Sequence, residues 1–242
     1  MSCPTVSNIH SVMNQWAPVH TAESWDNCGL QIGDLTQPVK SVLVTLELSA
    51  DVCAHLSHHP VDLVITHHPV LFKPVSQIKW DTDVGQIIKL CSQHQLSVLS
   101  YHTNLDVAEN GVTDCLINEF GFNAQLAKPM TSSGLGRYMT HETTVRDLAT
   151  WPTARVIGSS TNQRVSRIGF CGGSGRSLLT RARELNLDVF ITGEIGYHDE
   201  VWCGFQPLTV ITLGHKESED VVLPQIKQRL STEFENLSIH II

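Results

Sequence analysis

The chain has 242 residues, of which 41% are hydrophobic and 17% are charged, and its 16 basic and 24 acidic residues give a formal net charge of −8. This composition is typical of a globular protein, and no apolar run is long enough for a transmembrane helix. No lysine- or arginine-rich block is present, which disfavours a protein that binds the nucleic-acid backbone.

The N-terminus and the cysteines predict the cellular setting. The residues Met1-Ser2-Cys3-Pro4 lack the basic flank and the apolar core of a signal peptide. The seven cysteines are scattered along the chain and include no C-x-x-C pair, which indicates reduced thiols rather than a disulfide framework. We therefore expect a cytoplasmic protein.

Strands and helices are predicted to alternate along the whole chain. The predicted helices lie near 7–16, 49–58, 83–94, 110–120, 142–150, 175–186, 196–203 and 217–231. The predicted strands lie near 41–46, 62–66, 96–100, 154–158, 166–171, 188–192, 208–213 and 237–241. This alternation predicts an α/β fold with largely parallel sheets covered by helices, and the segment 122–140 is expected to join its two halves.

The two halves share an internal repeat. Residues 41–68 and 166–194 both follow the order strand, turn, helix, aspartate, strand and polar end, and 96–100 later matches 208–212. Two matches in the same order favour a duplication, although generic β-α-β units would look similar. We predict two α/β repeats, 1–125 and 126–242, with a metal site between them.

Three predicted strands end in side chains that commonly bind metal ions. A buried strand cannot easily carry charge along its length, but its end can present polar groups to a crevice. Imidazole and carboxylate ligands in this number suit two divalent ions such as Zn, Mn, Fe or Ni, whereas the alternative is a set of ordinary hydrogen-bonded strand ends. The groups are His67-His68, His102 with Asp106, and His215 with Glu219.

Further polar segments are candidates for other roles. Glu194 and His198 are candidate general acid/base groups, and a hydrogen-bonded turn is the alternative. The glycine-rich turn 172–177, with Arg176, is a candidate phosphate site, and a tight turn is the alternative. The cluster from His55 to His59 has no carboxylate partner at a matching distance, so we interpret it as a solvated helix C-terminus.

Read together, these motifs resemble the GTP cyclohydrolase I type 2 homologue family, also called the Nif-three-like family. The similarity covers almost the whole chain and includes no inserted domain, so the chain resembles the compact form of the family. The matching segments are Glu23 to Leu30 (ESWDNCGL), His67-His68-Pro69, His102 to Asp106, the glycines of 172–175, Thr192-Gly193-Glu194, and Gly214-His215 to Glu219.

The resemblance implies a fold of two intertwined α/β repeats and a site that holds two divalent metal ions per chain. The implied ligands are His67, His68, Asp106, His215 and Glu219, with Glu219 as the bridge. His102 is implied as an additional or nearby ligand. A ring-like homo-hexamer, with its sites facing an inner cavity, is implied as well.

The function that follows is a dinuclear metal-dependent hydrolase acting on a nucleotide. The family name points to GTP cyclohydrolase chemistry, in which the imidazole ring of guanine opens at C8 and formate is released. Glu194 or His198 would move protons in this reaction. The alternative is a non-catalytic protein that binds or delivers metal, or a scaffold for a partner.

Overall fold

The structure is a computed structural model that describes residues 3–158 and 161–242. Its strands are β1 (Gly29–Ile32), β2 (Ser41–Thr45), β3 (Leu63–Thr66), β4 (Ser97–Ser100), β5 (Lys128–Pro129), β6 (Arg137–Thr144), β7 (Arg155–Ile157), β8 (Arg164–Ser174), β9 (Val189–Glu194), β10 (Thr209–Thr212) and β11 (Ser238–Ile241). Its α-helices are α1 (Val6–Trp16), α2 (Ala50–His58), α3 (Asp83–His94), α4 (Thr103–Val107), α5 (Val112–Glu119), α6 (Val145–Leu148), α7 (Leu179–Glu184), α8 (Tyr197–Cys203), α9 (His215–Glu219) and α10 (Leu223–Glu233). The predicted α/β class is confirmed.

The chain divides into two compact units, each built on one sheet. The first unit reaches Leu105 and also contains Leu223–Ile242, and the second is Asp106–Val222. These bounds differ from the predicted repeats 1–125 and 126–242, because residues 106–125 pack with the second unit and the C-terminal helix and strand pack with the first.

The first unit contains a five-stranded sheet in the order β1-β4-β3-β2-β11, in which all neighbours are parallel except β1 and β4. All four residues of β3 and of β4 are buried. Such strands read as continuous apolar runs because both faces of the sheet are covered. Charged side chains are therefore expected before or after these strands rather than within them.

The second unit contains a six-stranded sheet in the order β5-β6-β8-β9-β10-β7. Its centre, β8-β9-β10, is parallel, and antiparallel strands lie on both sides. The segment 122–140, which the sequence predicted as a joint, instead contributes β5 and the start of β6. Only Val145–Leu148 of the predicted helix 142–150 is helical, since Thr143 and Thr144 extend β6 and the Thr144 side chain caps the short helix.

The C-terminal helix predicted at 217–231 is interrupted. It consists of α9, a 3₁₀ turn at Asp220–Val222, and α10. Pro224 lies in the first turn of α10, where its missing N–H is tolerated. The interruption ends the helix that carries His215 and Glu219 before the chain returns to the first unit.

Strand pairing in the two units agrees with a duplication. Leu63 on β3 pairs with Val42 and Ser97, and Val189 on β9 pairs in the same way with Ile168 and Thr209. The aspartates before these strands also match. Asp62 Oδ2 accepts hydrogen bonds from the backbone N–H groups of residues 40 and 41 and from a serine hydroxyl. Asp188 Oδ2 accepts the equivalent set from residues 166 and 167.

Two further predictions concern the cysteines and membrane-spanning helices. The seven cysteines are all free thiols. Among the described residues, no helix combines the length and the apolar character needed to span a membrane.

Asp188 gives a pH-dependent prediction for stability. Partial burial acts to raise its pKa, but hydrogen bonds from Arg167 and Ser166 outweigh this and hold the pKa below the usual value. The stabilisation is therefore present above the unfolded-state pKa, near 3.8, and is lost as the pH falls below it.

We expect Asp188→Asn to lower the free energy of unfolding at pH 7 by about 1 kcal/mol, a value that allows for solvent screening. The difference from wild type should shrink below about pH 4, as the wild-type carboxylate becomes protonated. Urea unfolding of both proteins at several pH values measures this difference in the free energy of unfolding. The exposed Glu235→Gln serves as the control, and a deficit that grows on acidification would contradict the explanation.

Candidate metal centre

Three histidines of the first unit lie together at the carboxyl ends of β3 and β4. His67 and His68 follow β3, and their N–H groups still donate to the carbonyl groups of Thr45 and Leu46, which continues the parallel pairing with β2. His102 follows β4 and precedes α4. One ring nitrogen from each histidine lies within 4.8 Å of the other two, as ligands of a common ion would. His67 is fully buried, whereas His68 and His102 are partly exposed.

The Nδ1 atom of each of these rings faces a hydrogen-bond acceptor. His67 Nδ1 lies 2.9 Å from the Tyr101 carbonyl oxygen, and His68 Nδ1 lies 2.7 Å from Glu47 Oε2. His102 Nδ1 lies 3.0 Å from Asp26 Oδ1. Because carbonyl and carboxylate oxygens only accept, each Nδ1 carries the proton, and Nε2 keeps the lone pair that a metal ion needs.

Asp26 is the more enclosed of the two carboxylate acceptors. Its side chain is 0% exposed, and Oδ2 accepts from the Thr103 N–H at 3.0 Å, the Thr103 hydroxyl at 2.5 Å and the Cys28 thiol at 3.3 Å. Burial acts to raise its pKa, but the hydrogen bonds and the charge of His102 outweigh this and hold the pKa well below the usual range. Asp26 is therefore ionised, and its Oδ1 fixes the orientation of the His102 ring by accepting a hydrogen bond from Nδ1.

The second unit holds its own candidate ligands: Asp106 lies on α4, whereas His215 and Glu219 lie on α9, which follows β10. Carboxylate oxygens of Asp106 and Glu219 lie within 4.8 Å of each other. His215 Nε2 lies 3.4 Å from Glu219 Oε2, one helical turn away, and Glu219 is buried. The i, i+4 spacing predicted from the sequence thus brings imidazole and carboxylate together on one helix face.

His215 shows the same proton arrangement as the other three histidines. Its Nδ1 lies 3.0 Å from Glu194 Oε1, so this nitrogen donates and Nε2 faces Glu219. The hydrogen bond to Glu219 is the largest cause that raises the pKa of His215 to about 9, and the charges of Glu219 and Glu194 add to it. At 3.4 Å, the lone pairs of His215 Nε2 and Glu219 Oε2 would repel each other unless a proton or a metal ion lay between them.

Glycines of the second unit make room for these side chains. Gly173 has φ +59°, and a Cβ atom there would overlap Glu219 Oε1. Gly193 is equally confined, since its Cβ atom would lie 2.5 Å from both the Gly173 carbonyl oxygen and Ser218 Oγ. The Gly173 N–H donates to Ser218 Oγ at 2.9 Å, which ties the end of β8 to α9.

In the predicted phosphate turn, the N–H groups of Gly173 and Gly175 form hydrogen bonds within the protein. Gly172 and Gly173 belong to β8, the Gly173 N–H is bound to Ser218, and the Gly175 N–H donates to the Glu194 carbonyl. Arg176, the candidate phosphate ligand, pairs with Asp199 at 3.2 Å. The alternative of a structural turn is the better interpretation.

Glu194 and His198 have different surroundings. Glu194 Oε1 lies 3.0 Å from His215 Nδ1, so this candidate acid/base group contacts a candidate ligand. His198 is exposed at the start of α8, where its ring lies 5.5 Å from that of Tyr197. In the other histidine cluster, the rings of His55 and His59 lie 4.8 Å apart at the end of α2, a helix C-terminus as expected.

Sequence reasoning missed two acceptors, Asp26 and Glu47. Asp26 lies in the segment 23–30, which on its own reads as a polar turn, and Glu47 lies before α2. The signal for Asp26 was its place in a motif shared with the family. For Glu47 the sequence offered no signal, because its partner His68 is 21 residues away.

The donor set fits divalent ions. It consists of imidazoles whose Nδ1 faces an oxygen acceptor and of buried or half-buried carboxylates, a combination suited to borderline metals such as Zn, Mn, Fe or Ni and unlike a thiolate site. Carboxylate and carbonyl acceptors behind the rings are the usual second layer of such sites. The structure thus defines an α/β protein with groups of side chains that can hold metal ions.

The chain belongs to the DUF34/NIF3 family (NGG1p interacting factor 3), whose model matches residues 4–242. A Clostridium perfringens protein named GTP cyclohydrolase 1 type 2 homolog is 29% identical over 95% of this chain and 94% of its own length. A protein of the same name from Clostridium acetobutylicum is 30% identical over 88% and 85%. The Staphylococcus aureus hypothetical protein SA1388 has a similar structure, with a TM-score of 0.87, 26% identity and coverage of 99% and 96%. The predicted family is confirmed.

Asp26 can be tested through metal affinity. We expect Asp26→Asn to weaken metal binding by about 10- to 100-fold, since the neutral amide turns an N–H group toward the donors of Thr103 and no longer holds His102 as a charged acceptor. Competition with a chelator measures the affinity. The control is Asp34→Asn, an exposed aspartate whose carboxylate accepts from the N–H and the hydroxyl of Thr36; equal affinity in both variants would reject the role of Asp26.

Gly173 can be tested against a matched glycine. Gly121 also has positive φ, +78°, but no atom lies within 4 Å of the position of its Cβ. Both Gly173→Ala and Gly121→Ala should cost about 1 kcal/mol of backbone strain. Only Gly173→Ala should also displace Glu219 and lower the bound metal measured by elemental analysis. Equal metal content in the two variants would show that Glu219 tolerates the added methyl group.

Proposed function

We propose that the protein is a dinuclear metal-dependent hydrolase that acts on a nucleotide, with GTP cyclohydrolase chemistry as the specific reaction. The observation that supports it best is the shared proton arrangement of His67, His68, His102 and His215, each of which donates from Nδ1 to a fixed acceptor. An oxygen acceptor at Nδ1 is the usual support of a metal-bound histidine, and it makes Nε2 the ligand atom.

The proposed ligands are those predicted from the sequence. His67, His68, Asp106, His215 and Glu219 would hold two divalent ions, with Glu219 as the bridge and His102 as an additional ligand. When bound, such ions lower the pKa of water and stabilise negative charge on a substrate. The buried position of Glu219 suits a bridging ligand, because a fixed carboxylate has two oxygens to share.

Protons would be moved by groups beside the ligands. Glu194 is the stronger candidate for this role, since its side chain is 57% exposed while Oε1 is held at His215. It can accept a proton from solvent or substrate without leaving that position. His198, which is exposed on α8, is the second candidate.

One observation favours the alternative of a metal-binding or metal-delivery protein. The N–H groups of Gly173 and Gly175 are bound internally and Arg176 pairs with Asp199, so this part of the second unit does not provide the phosphate contacts that a nucleoside triphosphate would use. A metal-handling role needs the ligands and no phosphate site.

The proposed setting is the cytoplasm, where the seven free thiols remain reduced. The proposed assembly is the homo-hexamer implied by the family resemblance, and the proposed substrate is a small nucleotide rather than a nucleic acid.

The test is formate release from GTP by protein loaded separately with Zn, Mn, Fe or Ni. We expect formate from the wild type and from His58→Ala, whose histidine lies in the cluster at the end of α2. Glu219→Ala should lose most bound metal and all formate release, since removal of a bridging ligand leaves both ions under-coordinated.

The outcomes separate the two functions. Formate release that vanishes in Glu219→Ala supports the hydrolase. Metal binding without formate, for every metal tried, would reject the cyclohydrolase reaction and favour metal delivery. Full metal retention in Glu219→Ala would reject its bridging role. Light scattering on the same samples gives the mass of the assembly, and a monomer would reject the hexamer.

A further inference from the structure

Two large aromatic side chains of the first unit are exposed beside the histidine cluster. Trp25 is 56% exposed and Phe72 is 48% exposed. Their ring centroids lie 5.6 Å apart, and those of Trp25 and Phe72 lie 6.0 and 6.3 Å from His102. Large aromatic surface left in water at such a place indicates a binding role.

The segments that carry the two rings are tied to each other. Asn27 Nδ2 donates to the Leu71 carbonyl at 2.8 Å, and the Leu71 N–H donates to Gln31 Oε1 at 3.1 Å. Gln31 Nε2 in turn donates to the Asn27 carbonyl at 2.7 Å. Leu71 precedes Phe72, so these hydrogen bonds fix the backbone beside that ring.

The Trp25 side is anchored as firmly. The next residue, Asp26, is held by Thr103, and its N–H donates to the Glu23 carbonyl, which closes a turn around Trp25. Both rings are therefore exposed on rigid backbone rather than on loose loops. A surface prepared in this way loses little conformational entropy when a ligand binds.

We infer that Trp25 and Phe72 form a stacking subsite for a planar heteroaromatic ring, such as the base of a nucleoside. The inference rests on the proposed function and names the part of the substrate that this surface would bind. The planes of the two rings meet at 56°, so they form an open wall on which a flat ring can stack against one face and contact the edge of the other.

The position of the subsite defines its use. Both aromatic rings approach His102 edge-on, at interplanar angles of 72° and 68°. A base stacked on either ring would lie next to the ligand cluster, and the same contact would serve any purine or pyrimidine, because stacking is tolerant of base identity. The subsite thus selects a class of ligand, while hydrogen bonds elsewhere would have to select among bases.

The test is isothermal titration of the metal-loaded protein with three probes, namely guanosine, GTP and inorganic triphosphate. Trp25→Ala should lower the affinity for guanosine and GTP by about tenfold or more. Trp25→Phe should recover most of the loss. Trp80→Ala is the matched control, since Trp80 is 57% exposed and lines a cavity with Ser49 and Cys53.

The affinity for inorganic triphosphate and the metal content should be the same in all four proteins. Guanosine that binds Trp25→Ala as tightly as wild type, or that does not bind wild type, would overturn the subsite. A parallel loss of triphosphate binding would overturn it too, as would a change in assembly mass with unchanged guanosine affinity, which would mark the rings as a contact between copies. Absence of turnover alone rejects the hydrolase and leaves the subsite standing.

Discussion

The exclusion of charged side chains from buried parallel strands determines where this protein can place its chemistry. Every residue of β3, β4 and β10 is buried, and the few polar residues within them are serine and threonine. Charged and titratable groups lie before or after these strands, and the candidate metal ligands lie after them. Parallel strands end at the same edge of their sheet, so His67 and His102 meet in the first unit although Thr66 and Ser100, the paired last residues of β3 and β4, are 34 residues apart in the sequence. The ligand clusters are consequences of strand direction.

A second constraint is the position of one proton on each imidazole. A neutral histidine can present either nitrogen, and an unfixed ring would divide its population between two tautomers. Here Tyr101, Glu47, Asp26 and Glu194 each place an oxygen at Nδ1. Three of the four are carboxylates, and Asp26 is itself held by Thr103. The ring orientation therefore depends on residues that would never touch an ion.

Much of the fold and of the ligand set could be predicted from the sequence, because both follow from local pattern. The run Val64-Ile65-Thr66 before two histidines, and the i, i+4 spacing of His215 and Glu219, are readable without a structure. What could not be read was pairing between distant segments. β1 is a short edge strand with no strong pattern, β6 was hidden in a segment rich in turn residues, and the contact of Glu47 with His68 depends on the path of the chain after β2. The sequence also left two roles open for the glycine-rich turn 172–177, because the small size of Gly173 serves Glu219, which lies more than 40 residues later.

The repeats also show how one scaffold came to carry two kinds of ligand. Thr66 and Thr192 occupy the same register position at the ends of β3 and β9. The next residue is His67 in the first unit and Gly193 in the second. A side chain at 193 would overlap the Gly173 carbonyl and Ser218, because α9 closes directly over that strand end. The second unit therefore cannot present a histidine there, and its candidate ligands are Asp106 and the α9 residues His215 and Glu219. The candidate ligands of the first unit are three imidazoles, whereas those of the second are two carboxylates and one imidazole. Substitution of one unit's strand ends by the other's would change the charge of the donor set as well as its geometry, so the two copies are no longer interchangeable.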